Sequence, residues 1–91
     1  MSRVLLIDDD VELVGLITEY LNREGFEVMA AHDGEAGLQA ALSGQFDIAV
    51  LDVMLPRQNG VDTLRRIRSS SALPVVMLTA RGAETDRVIG L

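Results

Sequence analysis

The sequence contains no cysteine and no lysine. Without Cys neither a disulfide nor a thiolate metal site can form, which suits a reducing cytoplasm. All eight cationic side chains are Arg. Long apolar runs are also missing. Stretches such as residues 4–7 hold four apolar residues, whereas a membrane span needs about 20. The first of them ends at once in Asp8-Asp9-Asp10, unlike a signal peptide. The expectation is a cytoplasmic protein with no membrane contact. Positive charge is outweighed, with a formal net charge of −6. Phosphate contacts drive nucleic-acid affinity, so such a domain is a poor nucleic-acid binder on its own. What the chain does have is apolar content, 48% of its 91 residues. That suffices for a compact fold but for no more than one domain.

The apolar residues are patterned. Residues 4–7 form a continuous run of β-formers, as expected of a strand buried on both faces. Residues 11–24 place Val11, Leu13, Val14, Leu16, Ile17, Tyr20 and Leu21 on a helical stripe, with Gly25 as a C-terminal stop. Residues 26–30 alternate like an edge strand. Asp33-Gly34 makes a turn into a second helix over 35–43. A third strand, 46–51, ends on Asp52. The loop from Val53 to Gly60 holds Pro56 and the Asn59-Gly60 turn signal, and Asn59 is placed to cap a third helix. In that helix Val61, Leu64 and Ile67 face inward, while Arg65, Arg66 and Arg68 form a solvated face able to steer an acidic partner. A fourth strand, 75–78, leads to Thr79-Ala80. A fourth helix is expected from near Glu84 to the end of the chain. Strands alternating with amphipathic helices predict an α/β fold, a parallel sheet with helices on both faces.

In an open parallel sheet, ligands bind at the carboxyl ends of the strands, beside the switch in strand order. Strand one ends on Asp8, Asp9 and Asp10, and strand three on Asp52. Neighbouring strands lie about 4.8 Å apart, so adjacency would put these carboxylates in one small volume. Like charges that close repel, and a hard divalent cation removes the conflict. Magnesium suits such a site, because it takes one or two carboxylates and keeps room for phosphate oxygens. Helix capping is the plainer role for Asp9 or Asp10, and Asp9 has Glu12 three residues on, as in a capping box. Capping does not account for Asp52. Thr79 closes strand four at the same edge. There it can donate its hydroxyl to the pocket or simply fill a strand end. His32 reads as a solvated turn residue.

The segments Val4-Leu5-Leu6-Ile7-Asp8-Asp9-Asp10, Leu51-Asp52-Val53-Met54-Leu55-Pro56, Asn59-Gly60 and Val76-Met77-Leu78-Thr79-Ala80-Arg81 together resemble the receiver domain of two-component response regulators. Within that family the wording around Asp52 and Thr79 is similar to the OmpR/PhoB group, and especially to its envelope-stress (Cpx-type) members. The resemblance implies a doubly wound, flavodoxin-like sheet of order 2-1-3-4-(5), with residues 1–91 forming a partial receiver domain. It implies Asp52 as phosphoacceptor and Thr79 as the switch residue contacting the phosphoryl group. Mg2+ would be held by Asp8, Asp9, Asp52 and the backbone carbonyl of Met54, with Asp8 acting mainly through water. The implied donor is a sensor histidine kinase. The implied output is transcriptional, through a winged-helix DNA-binding domain that this sequence does not include.

The sequence departs from the family at its C-terminal side. The family's Lys and its aromatic switch residue, both on a fifth strand, have no counterpart here, and neither does the fifth helix. An uncovered strand four would pair with a second chain, so a homodimer or oligomer is expected. An alternative to a working phosphoacceptor is therefore a dimerising fragment that folds but does not signal. A phosphatase of the haloacid-dehalogenase type also uses an aspartyl phosphate. Those enzymes resemble Asp-x-Asp-x-Thr followed later by Lys, whereas this chain reads Asp8-Asp9-Asp10-Val11-Glu12 and has no Lys. The function expected is phosphoryl acceptance in signalling, not enzymatic turnover.

Overall fold

A computed structural model describes residues 2–52, 54–55, 58–78 and 88–89, the pairs 54–55, 58–59 and 88–89 through their backbone. Among the described residues the elements are, in chain order, β1 (Arg3–Ile7), α1 (Val11–Arg23), β2 (Glu27–Ala31), α2 (Gly34–Ala41), β3 (Ile48–Asp52), β4 (Met54–Leu55), β5 (Gln58–Asn59), α3 (Gly60–Arg68), β6 (Val75–Leu78) and β7 (Val88–Ile89). The main sheet runs β2-β1-β3-β6-β7. Its first four strands are parallel, so β1 is flanked on both sides, as its unbroken apolar run requires. Ile7 lies level with Ala31 of β2 and with Leu51 of β3. Asp52 lies level with Leu78 of β6.

Crossovers between parallel strands are right-handed. The chain steps one way from β1 to β2, then back across β1 to β3 and onward to β6. Handedness thus puts α1 on one face of the sheet and α2 with α3 on the other. Packing agrees. Leu5 and Ile7 of β1 join Leu38 and Ala41 of α2 and Ile67 of α3 in one buried cluster with Ala49, Leu51, Val75 and Met77. Side chains alternate along a strand, so Val4 and Leu6, also buried, point to the opposite face. Each fully buried aliphatic side chain in this core contributes roughly 1.5–3 kcal/mol. Helix α2 sits so close to β1 that a Cβ on Gly37 would stand 2.7 Å from Ile7 Cδ1 and Cγ2.

Local signals set the helix ends. Asp10 caps α1 by accepting from the Leu13 N–H at 3.1 Å. At the other end Gly25 adopts φ +95°. The Gly25 and Phe26 N–H groups turn back to the Asn22 and Leu21 carbonyls, the paired bonds of a Schellman stop. Asp33 caps α2 through the Ala36 N–H. The side chain of Asn59, expected to cap α3, lies outside the described residues.

Three expectations change. Of Asp9 and Asp10, both candidates for the helix cap, Asp10 takes the role, because it has the extended backbone and the reach to Leu13 N. Leu13 at the third position has no polar side chain to return the bond, so the capping box read at Asp9 and Glu12 does not form. The apolar stripe of α1 is wider than its contact with the sheet. Val14 is buried, but Val11, Leu16 and Tyr20 are 60–67% exposed, since one sheet face covers only a narrow strip of a helix. The fourth helix is not formed at residues 88–89. They make β7, antiparallel to β6, with Met77 opposite Ile89 and Leu78 opposite Val88. An open strand edge takes any extended segment within reach. The edge expected to stay uncovered is therefore covered at those two positions. Glu84, the expected start of that helix, lies outside the described residues.

Candidate phosphoacceptor pocket

The adjacency of β1 and β3 brings their carboxyl ends together. One carboxylate oxygen from each of Asp8, Asp9 and Asp52 lies within 4.8 Å of the others. The three differ in setting. Asp8 is buried at 7% exposure, Asp52 is half-buried and Asp9 is exposed.

Asp8 is held from several sides. Its N–H donates to the Ala31 carbonyl at 3.0 Å, which extends the β1–β2 ladder one step past Ile7. Its Oδ1 accepts from the Asp10 N–H at 2.9 Å, closing a local turn. Its carbonyl oxygen lies 3.1 Å from His32 Nδ1. The adjoining aspartates thus divide the work. Asp10 starts the helix, Asp8 anchors the turn, and Asp9 is left to face the cluster. The N-terminal end of α1 follows directly, and its partial positive charge offsets some of the carboxylate repulsion.

The donors are hard oxygens of like charge, which suit a hard divalent cation. Two opposite ligands of Mg2+ at about 2.1 Å each stand about 4.2 Å apart. Spacings bounded by 4.8 Å fit such an ion with a small closing movement, or with one carboxylate acting through water. The residues present therefore fit the metal.

Comparison with known proteins places this geometry. Residues 4–91 match the family model "Response regulator receiver domain". The chain belongs to the response regulator receiver family. It is 54% identical, over all 91 residues, to the transcriptional regulatory protein CpxR of Klebsiella pneumoniae, of which it covers 39%. It thus spans about two fifths of the length of that curated relative. Among solved structures it is similar to the response regulator TrrA of Thermotoga maritima in complex with Mg(2+)-BeF. That match has a TM-score of 0.84 and 32% identity and covers 90% of this chain and 72% of that one. A second match, of TM-score 0.82, 32% identity and the same coverage, is to a structure of histidine kinase ThkA in complex with TrrA. The CpxR likeness agrees with the OmpR/PhoB, Cpx-type reading of the sequence.

The remaining receiver site residues divide between what the structure describes and what it does not. Met54 opens β4, which pairs antiparallel with β5 through Met54↔Asn59 and Leu55↔Gln58, so a short antiparallel pair follows β3. Thr79 lies outside the described residues. Arg65 and Arg66 are exposed and paired, to Asp62 at 3.5 Å and to Glu35 of α2 at 3.1 Å. Exposed pairs of this kind contribute at most about 1 kcal/mol. Among the described residues no helix is long and apolar enough to cross a membrane. His32 is exposed, as its place in a turn predicts, but the sequence reading did not foresee its contact with the Asp8 carbonyl. A polar residue in a turn carries no periodic signal, and only the β2–β1 pairing shows that it reaches Asp8.

Proposed function

We propose that this receiver accepts a phosphoryl group on Asp52 from a sensor histidine kinase, with Mg2+ held by Asp8, Asp9, Asp52 and the Met54 carbonyl. The observation that carries the reading is the convergence of Asp8, Asp9 and Asp52 within 4.8 Å at the carboxyl edge of a parallel sheet. The relation to TrrA, solved with Mg(2+)-BeF and with a histidine kinase, supports the choice of metal and donor. The Asp52 carboxylate oxygen forms a bond to phosphorus. The P–N bond of the phosphohistidine breaks, and its electron pair returns to the imidazole nitrogen. Bound Mg2+ supplies positive charge to balance the phosphoryl oxygens. Asp8 and Asp9 hold the ion beside Asp52, and the Thr79 hydroxyl donates to the transferred group. Residues 1–91 form part of this receiver domain, which acts by accepting phosphate, not as an enzyme. By likeness to the transcriptional regulatory protein CpxR, the whole protein regulates transcription; the family resemblance implies that it does so in the cytoplasm, binding DNA through a winged-helix domain.

Incubation with acetyl phosphate or a phosphorylated kinase core, followed by intact-mass analysis, tests this. One phosphoryl group should appear with Mg2+, be lost with EDTA, and be lost in Asp52→Asn. Labelling that survives Asp52→Asn refutes the assignment. A second reading is a folded domain whose pocket is idle. No labelling of a chain that binds Mg2+ would select it.

A further inference from the structure

β1 ends at Ile7 and β2 at Ala31, yet the contact between the two strands continues for one more residue. The Asp8 N–H donates to the Ala31 carbonyl at 3.0 Å, and the Asp8 carbonyl meets Nδ1 of His32, the next residue along, at 3.1 Å. Consecutive residues at the end of β2 therefore grip both backbone polar groups of Asp8. A carbonyl oxygen only accepts, so a hydrogen bond here requires the proton on Nδ1. The ring takes over where the backbone ladder has run out.

The carbonyl so held belongs to the peptide linking Asp8 to Asp9, and the side chains on either side of that peptide both enter the acidic cluster. Rotation of its plane would swing both carboxylates. Mutual repulsion favours that rotation, while the His32 contact and the Asp10 N–H on Asp8 Oδ1 resist it. We propose that His32 is a positioning residue of the pocket, fixing the Asp8–Asp9 peptide so that both carboxylates meet one cation. The inference rests on the reading of the cluster as a Mg2+ site. His32 touches neither the ion nor the phosphoryl group; it acts through Asp8. Groups that orient metal ligands in this way commonly set the affinity of a site.

The test is Mg2+ titration of the 91-residue chain by calorimetry, in wild type, His32→Ala and His32→Asn. The Asn amide nitrogen stands close to where Nδ1 stood and can donate. His32→Ala should weaken Mg2+ binding about fivefold, as expected for one lost hydrogen bond. His32→Asn should restore most of that loss, and all three chains should melt cooperatively in metal-free buffer, His32→Ala a few degrees lowest. The 15N spectrum of the wild-type ring should show the Nδ1–H form. Equal Mg2+ affinity in wild type and His32→Ala overturns the inference alone, as does a folded His32→Asn that fails to restore binding or a ring protonated only on Nε2. A wild-type chain that binds no Mg2+ overturns the metal reading and this inference with it.

Discussion

Replacing Asp52 by Asn deletes one charge from a cluster of three without changing side-chain volume. Asp52 takes part in two of the three pairwise repulsions, with Asp8 and with Asp9. At the 4.8 Å bound on their separation, two unit charges repel by about 0.9 kcal/mol in a water-like dielectric and about 3.5 kcal/mol at an effective dielectric of 20. Asp8 is buried, so its repulsion with Asp52 falls toward the upper figure. Asp9 is exposed, so its share falls toward the lower. Asp52 also has an interaction with its surroundings in the folded state, so the full repulsion is not recovered. The net gain expected in metal-free buffer is about 1–2 kcal/mol. In a domain of this size each kcal/mol moves the melting temperature by roughly 4–8 °C. Thermal melts in EDTA should therefore show Asp52→Asn several degrees above wild type. The gap should narrow at about 1 M salt, where the screening length falls to about 3 Å. A melting temperature at or below wild type at low salt refutes the repulsion argument.

Other outcomes follow from the same structure. Mg2+ at ten times its Kd should stabilise the wild-type chain by about 1.4 kcal/mol; no shift, or an equal shift in Asp9→Ala, removes the metal site. Gly37→Ala would drive a methyl to 2.7 Å from the fully buried Ile7 side chain. Overpacking costs about 1–3 kcal/mol against a helix-propensity gain of about 1 kcal/mol. Urea unfolding should show a net loss, and a gain would mean that α2 shifts freely on β1. β7 covers β6 only at Met77 and Leu78 among the described residues. Sedimentation over a concentration series should therefore reveal a dimer or larger species, and a monomer at every concentration would show that this short pairing protects the edge.

Much of this protein is written in local patterns that a sequence displays directly. The run Val4-Leu5-Leu6-Ile7 breaking into three aspartates marks a doubly covered strand and its ligand-binding end, because an unbroken run of large β-branched and aliphatic side chains is favoured where both sheet faces are covered. Asp33 and Gly25 mark helix limits because capping and left-handed backbone are chemical properties of those residues. The alternation of such elements gives the parallel sheet, and Asp52 at the end of the third strand names the residue at its centre. Which strands are neighbours is not a local property. Only the order β2-β1-β3-β6 sets Asp52 beside Asp8 and Asp9, more than forty residues away in the chain. The same pairing carries His32 to the Asp8 carbonyl, a contact between the ends of two strands that neither strand's sequence announces. The local backbone at the start of α1, extended at Asp10, decided which aspartate caps the helix and left Asp9 for the cluster. β7 shows the limit most plainly. Residues 88–89 carry a helical pattern, yet an open edge on β6 offers backbone hydrogen bonds to an extended segment, and that choice depends on a strand formed ten residues earlier.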